Sequence, residues 1–508
     1  MFYVPKDAIY RRIDRRKFLE LGGGVIAKLG AGAIAVGLSS EIVRTRVQAA
    51  SSPDAKWKQY SGSKLVFMSE NTPPSFAIRD KLKDFYDLTG ITVEILTDDL
   101  PVVQQKIGID LRSGQADFPL NYVQDKPIGA PFADFYEDLL PLTQDDTLPQ
   151  DPEGYGAEVW FENFLDACGY YYTRDRLVAF PYDSAVACTF YRQDLFEKLS
   201  KDFEADHGYR LEFTPETTWK QVNEIAAFFK KMHEKDESIP YGYAQHQGSF
   251  AWTTQLDIQR MLFAHGQWTE FEGDDKLGSK EPGPTRWGDE QSVLIMTKFK
   301  EQADVSHPDN LANGTLELNT VYQAGKIAMQ VQYHEFAASI EDEKTSVAAG
   351  GKTAYAPCPK GEPSWIVNGG KAVNGCNCGI GGIGINASAS EDIKRAAYIF
   401  SIWAVSHQNQ LEVLKGLGGT PTRRSVLEEP EVKAARQRPT KMPNALTFEA
   451  VYDVGIKDPN FVLGPKFLKT NEYHQILATE VQSCLSGKQS PEEACKNIKT
   501  QLDQINGV

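Results

Sequence analysis

Lys64-Leu65-Val66-Phe67-Met68, a helical stretch over residues 75–88, and Ile91-Thr92-Val93-Glu94-Ile95-Leu96 together form the opening that decides the fold. The first and last runs are short, apolar and rich in β-branched residues. The segment between them repeats apolar side chains at Phe76, Ile78, Leu82 and Phe85, a helical spacing, and Gly90 stops it. Strand, helix, strand is the unit that builds a parallel sheet covered by helices on both faces. Downstream the pattern recurs. A helix is predicted over residues 102–113, ended by Gly114. A strand is predicted over 117–122, and another over 177–180 that runs through Pro181 into 186–191. Helices are predicted over 194–203, 219–231, 254–265 and 289–304, each with apolar residues three and four apart. Residues 328–331 and 380–386 read as further strands, 391–406 as a strongly apolar helix, and 471–506 as a pair of amphipathic helices.

At 508 residues the chain exceeds what one hydrophobic core serves, since single cores stop growing at roughly 250–300 residues, so at least two lobes are expected. The formal net charge of −15 argues against broad capture of nucleic acid or of an anionic membrane, both of which need a positive face. Nine of the 54 Lys/Arg but only four of the 69 Asp/Glu fall in residues 1–49, so the remainder is more acidic still. In that basic head, Asp14-Arg15-Arg16-Lys17-Phe18-Leu19 precedes a Gly/Ala-rich apolar stretch, and Val47-Gln48-Ala49 supplies the small residues a signal peptidase accepts. It resembles a twin-arginine export signal. A retained membrane anchor is the alternative, but Lys28 interrupts the stretch, which falls short of the ~20 apolar residues a span needs. The expectation is therefore a periplasmic protein, cleaved near Ala49.

Export makes disulfides possible among the seven cysteines. Cys484 and Cys495 flank a turn between two predicted helices and are the expected pair; Cys168, Cys188, Cys358, Cys376 and Cys378 have no assignable partners. Cys358 with Cys376-Asn377-Cys378 is the best metal candidate, but a closed site wants four ligands at regular spacing, so no metal or cofactor is expected. There is no His-Glu-x-x-His or Gly-x-Ser-x-Gly, and the Gly-rich run over 375–384 lacks the pattern of a phosphate loop. That run reads instead as a strand whose backbone is closely approached, or as a flexible crossing between lobes.

What stands out is a flat ring beside a carboxylate just after several strands, the edge where open α/β sheets hold ligands: Tyr122 and Asp125, Tyr182 and Asp183, Tyr333 and Glu335, with Trp252 opening a helix. Rings stack on the apolar C–H faces of sugars, and carboxylates accept sugar hydroxyls. That combination needs no catalysis.

Across residues 64–508 the chain resembles the extracellular solute-binding proteins of ABC importers, in the family 1 group that includes maltose-binding protein. The resemblance is carried by Phe180-Pro181, Phe190-Tyr191-Arg192-Gln193-Asp194-Leu195-Phe196, Thr214-Pro215-Glu216-Thr217-Thr218-Trp219 and Gly325-Lys326-Ile327-Ala328-Met329. Gly381-Gly382-Ile383-Gly384-Ile385-Asn386, Gly419-Thr420-Pro421-Thr422-Arg423 and Gly487-Lys488-Gln489-Ser490-Pro491-Glu492-Glu493-Ala494 continue it. It implies a two-lobe α/β fold, each lobe a mainly parallel sheet flanked by helices, with lobe 1 over 64–182 plus 380–417 and lobe 2 over 183–379 plus 418–508. It also implies a monomer that holds solute in the cleft and hands it to a membrane permease. Carried over position by position, the ligand contacts fall at Glu70, Asn71, Tyr122, Asp125, Asp183, Trp252, Tyr333, Glu335 and Tyr473. Where the family often has Trp, this chain offers Tyr122, Glu335 and Tyr473, so a small sugar or polyol is implied rather than a long glucan. The rival readings are an exported carbohydrate hydrolase, and a binding protein for a polyamine, a peptide or a metal chelate.

Overall fold

The computed structural model describes residues 53–248, 251–266, 269–416 and 419–508. The export-signal reading, residues 1–49, lies outside them. The chain divides into two compact units, Met1–Gln59 and Tyr60–Val508. The described part of the first is a short helix, Pro53–Lys58.

In the second unit the opening is strand β1 (Lys64–Glu70), helices α1 (Pro73–Asp80) and α2 (Leu82–Thr89), and strand β2 (Thr92–Asp98). The single helix expected over 75–88 is two, parted at Lys81, whose N–H donates to the carbonyl of Ile78 instead of continuing the four-residue ladder. Helix α3 (Leu100–Ser113) leads into β3 (Leu120–Gln124), later by a few residues than the sequence suggests. β1 pairs in parallel with β2 on one side and β3 on the other.

Strand β4 (Ala179–Arg192) is the longest, and all but one of its residues are buried. Helices α4 (Gln193–His207), α5 (Trp219–Lys235), α6 (Ala251–Ala264) and α7 (Glu290–Val305) follow. After them come β5 (Met329–Tyr333), β6 (Thr353–Ala356), β7 (Cys378–Ile385) and helices α8 (Glu391–Ala404), α9 (Thr470–Leu485) and α10 (Pro491–Asn506). α10 begins in a capping box in which Ser490 and Glu493 satisfy each other's backbone N–H, as the run Ser-Pro-Glu-Glu suggests.

The strand order is β2-β1-β3-β7-β4-β5, with β6 also on β4. Parallel pairing belongs to β1, β2 and β3; the crossing strands β7 and β4, and β5 and β6, pair antiparallel. β4 serves two neighbourhoods. Its first half, Ala179 to Val186, lies against β7, and its second half, Ala187 to Arg192, lies against β5 and β6. Two hydrophobic clusters match that division. One gathers Met68, Val103, Ile107 and Tyr136 beneath β1–β3. The other, much larger, gathers Phe190, Phe229, Met261 and Phe299 beneath β4–β5 and the helices.

The expected disulfide is not formed. α9 and α10 make the antiparallel hairpin that brings Cys484 and Cys495 into each other's field, yet both are buried free thiols, as are the other five cysteines.

Candidate functional site

The register shift in β4 lies between Pro181 and Asp183. Pro181 has no N–H to give the ladder, and a strand absorbs such a residue as a bulge, which re-aims the side chains beside it. The bulge presents Tyr182 and Asp183 toward β1 and β3. There the Tyr122 hydroxyl donates to Asp183 Oδ2 at 3.3 Å, and Thr420 donates to Asp183 Oδ1 at 3.0 Å. The Tyr122 and Tyr182 rings meet edge to face, their centroids 6.4 Å apart, and Tyr182 meets Phe67 of β1 in the same way.

The Gly-rich strand β7 makes room for these rings. A Cβ on Gly381 would lie 2.2 Å from the Tyr122 ring, and one on Gly379 would lie 3.2 Å from the Gln124 amide nitrogen and 3.7 Å from the Tyr333 ring. Of the two readings of this run, the closely approached backbone is the one realised.

Glu70, at the end of β1, and Glu335, just past β5, complete the group. Burial pushes the Glu70 carboxyl up to about 8, helped by the charges of Asp183 and Asp99. Burial likewise raises Asp183 to about 6, against hydrogen bonds from Thr420, Tyr122 and the Ser184 backbone that favour its ionised form. Glu335 is raised well above the usual carboxylate range by burial and then by Asp183 and Glu70. Among the described residues, none of the three carboxylates has a Lys, Arg or His nitrogen within 4.0 Å. Each acid therefore sits in the field of the others.

Asp125 and Tyr333 adjoin this group across β7. Asp125 pairs with Lys126 at 2.5 Å, and Lys126 also donates to the Cys378 carbonyl at 3.1 Å. Tyr333 lies under the guanidinium of Arg260, 5.7 Å from ring centroid to Cζ. Asn71 is exposed at the rim, donating to Asp99. Tyr473 is placed elsewhere: fully buried under α9, it bonds Glu270 and Gln259 as part of the packed interior. Its neighbour His474 faces a groove of about 1050 Å³ between α3 and the α9–α10 hairpin, bordered also by Gln104, Pro127 and Phe132. The side chain of Trp252 lies outside the described residues. Thr420 and Gln124, absent from the sequence-based set, join the site. Thr420 is supplied by the Gly-Thr-Pro-Thr run, which carried the resemblance without marking a contact.

Rings and acids gathered where a crossing strand joins two sheets define a two-lobed α/β solute-binding protein. Comparison with known proteins agrees. The family described as bacterial extracellular solute-binding protein matches residues 82–440, and the chain belongs to it. A probable amino-acid ABC transporter periplasmic-binding protein of Sinorhizobium fredii is 23% identical over 481 residues, 92% of this chain and 94% of that one. A solute-binding protein of Agrobacterium radiobacter in complex with ribitol superposes with a TM-score of 0.68 at 18% identity, covering 88% of this chain and 99% of the other. Maltose-bound MalE3 of T. maritima gives 0.68 at 19% identity, covering 87% and 100%. Among the described residues no helix is long and apolar enough to cross a membrane.

Proposed function

We propose that this chain captures a small hydroxyl-rich solute, a sugar or polyol, between the lobes assigned above (64–182 with 380–417, and 183–379 with 418–508) and delivers it unchanged to an ABC permease. The observation that carries the reading is the group of Tyr122, Tyr182, Asp183, Glu70 and Glu335 at the crossing strands. Edge-to-face rings offer flat apolar surface, and carboxylates accept hydroxyl donors. The ribitol and maltose complexes of its structural relatives support it. A free amino acid, suggested by the Sinorhizobium relative's name, fits this group less well, because its own carboxylate would face three acids with no cation to receive it. Solute bridging both lobes stabilises the closed arrangement through contacts the open one lacks. In this reading residues 1–49 are a twin-arginine signal removed near Ala49, the mature protein is a periplasmic monomer, and it has no catalytic role.

A thermal-shift screen of sugars and polyols tests the proposal, since a solute bound only by the folded state raises the midpoint with occupancy. The expected result is a rise with at least one of them and none in Tyr122→Ala. Cleavage of a chromogenic glycoside, with no shift from any solute, would refute it.

A further inference from the structure

Among the described residues no Lys, Arg or His pairs with any of the three acids, and four buried positive side chains have acceptors of their own. Lys126 is held by Asp125 and the Cys378 carbonyl. Arg260 is held by Asp257 and Asn377. Arg423 is held by Asp151 and Glu153, and Lys466 by the backbone carbonyls of Asp166, Ala167 and Tyr170.

A second, independent sign comes from hydrogen bonding. Glu335 is only 7% exposed, yet its Oε2 has no partner, and neither does the Oη of Tyr333 at 2% exposure. Buried polar atoms are nearly always bonded, and an unmet carboxylate oxygen is among the costliest exceptions. The Glu335 carboxyl lies in the field of both Asp183 and Glu70, so the unmet oxygen belongs to the acid group itself.

Neutral hydroxyls could meet these oxygens only while the acids keep their protons, since a hydroxyl offers no charge to offset an ionised carboxylate in a site of low dielectric. An ammonium supplies three donors and a unit charge together, and so allows the acids to ionise. We infer that the solute held in this cleft carries a protonated amine among its hydroxyls, as an amino sugar or amino polyol lacking a carboxylate does. This rests on the hydroxyl-rich reading above and narrows it.

Titration calorimetry on the purified protein with matched probes tests it: D-glucosamine against D-glucose, 1-amino-1-deoxysorbitol against sorbitol, and putrescine as an amine without hydroxyls. The amine of each matched pair is expected to bind at least about tenfold more tightly than its hydroxyl partner, the scale of a desolvated charge pair. Glu335→Gln should lose about tenfold or more on the amine and little on the neutral partner, while its own melting midpoint holds or rises as the acids repel less. Glu70→Gln, at a partly exposed position, serves in its place should Glu335→Gln not fold. Neutral partners binding as tightly as the amines would overturn the inference and leave the proposed function standing. Putrescine binding while both pairs fail would overturn the hydroxyl-rich reading and keep the positive charge. Silence from every probe, in protein that unfolds cooperatively, would overturn both.

Discussion

Two groups of buried charge lie on either side of Tyr333, and they are built on opposite plans. In the first, Asp257 receives the His246 backbone N–H at 2.8 Å, the His246 ring at 3.2 Å and the Arg260 guanidinium, which in turn bonds Asn377. Burial pushes Asp257 up, but the charges of His246 and Arg260 and these hydrogen bonds bring it below its ordinary value. In the second, Glu70, Asp183 and Glu335 share a neighbourhood with each other and, among the described residues, with no partner cation, and burial carries all three upward. The first group pairs its acid with cations of the same chain and serves the fold, although Arg260 Nη2 and His246 Nε2 are left without partners among the described residues. The second has no cation partner among the described residues, and in the proposed reading the solute supplies it. Burial alone separates neither from the other; compensation does.

The sharpest way to break this contrast is to remove the compensation from the first group. Arg260→Met leaves Asp257 buried beside His246 alone, and urea denaturation is expected to show a loss of about 3–5 kcal/mol, the usual result of stranding one partner of a buried pair. Next in size is Gly381→Ala, whose Cβ would collide with the Tyr122 ring. Overpacking of this kind costs about 1–3 kcal/mol in the same assay, and solute binding should be lost because the ring must leave Asp183.

Tyr122→Phe is gentler. It removes one hydroxyl donor from Asp183 and keeps the ring, so stability should fall by about 1 kcal/mol, with weaker solute binding measured by calorimetry. Smallest is Glu70→Gln, read through pH. The Glu70 carboxyl rises from 4.5 to about 8 on folding, so the folded state holds the extra proton and stability contributed by this group falls as pH rises across that window. The wild type should therefore lose denaturation midpoint relative to Glu70→Gln between about pH 4.5 and 8, a modest drop because Glu70 is partly solvated.

Much of the architecture was legible in local pattern. The helical spacing in 219–231, 289–304 and 391–406 and the apolar run at 64–68 correspond to α5, α7, α8 and β1, because amphipathic periodicity is a property of neighbours in the chain. The short strand β6, Thr353–Ala356, went unread: four residues carry too little periodicity, and only pairing with β4 makes them a strand. In the candidate site, Glu335 lies just past β5 as the strand-end reading expects, whereas Tyr122 lies in the middle of β3 and Asp183 within β4, because both strands run on further than their local pattern suggests. Tyr473 could not be placed, since whether a helical tyrosine borders the groove or enters the interior depends on the turn of α9, which sets Tyr473 against Glu270 while His474 borders the groove, itself buried.

Sequence alone thus indicated most of the longer strands and helices and the need for two lobes, because these follow from burial periodicity and chain length. Only the tertiary structure decided which acids are compensated. Hydrogen bonds to buried charged groups join residues such as Arg260 and Asn377, 117 positions apart, or Tyr122 and Asp183, 61 apart, and electrostatic energy depends on distance through space rather than along the chain.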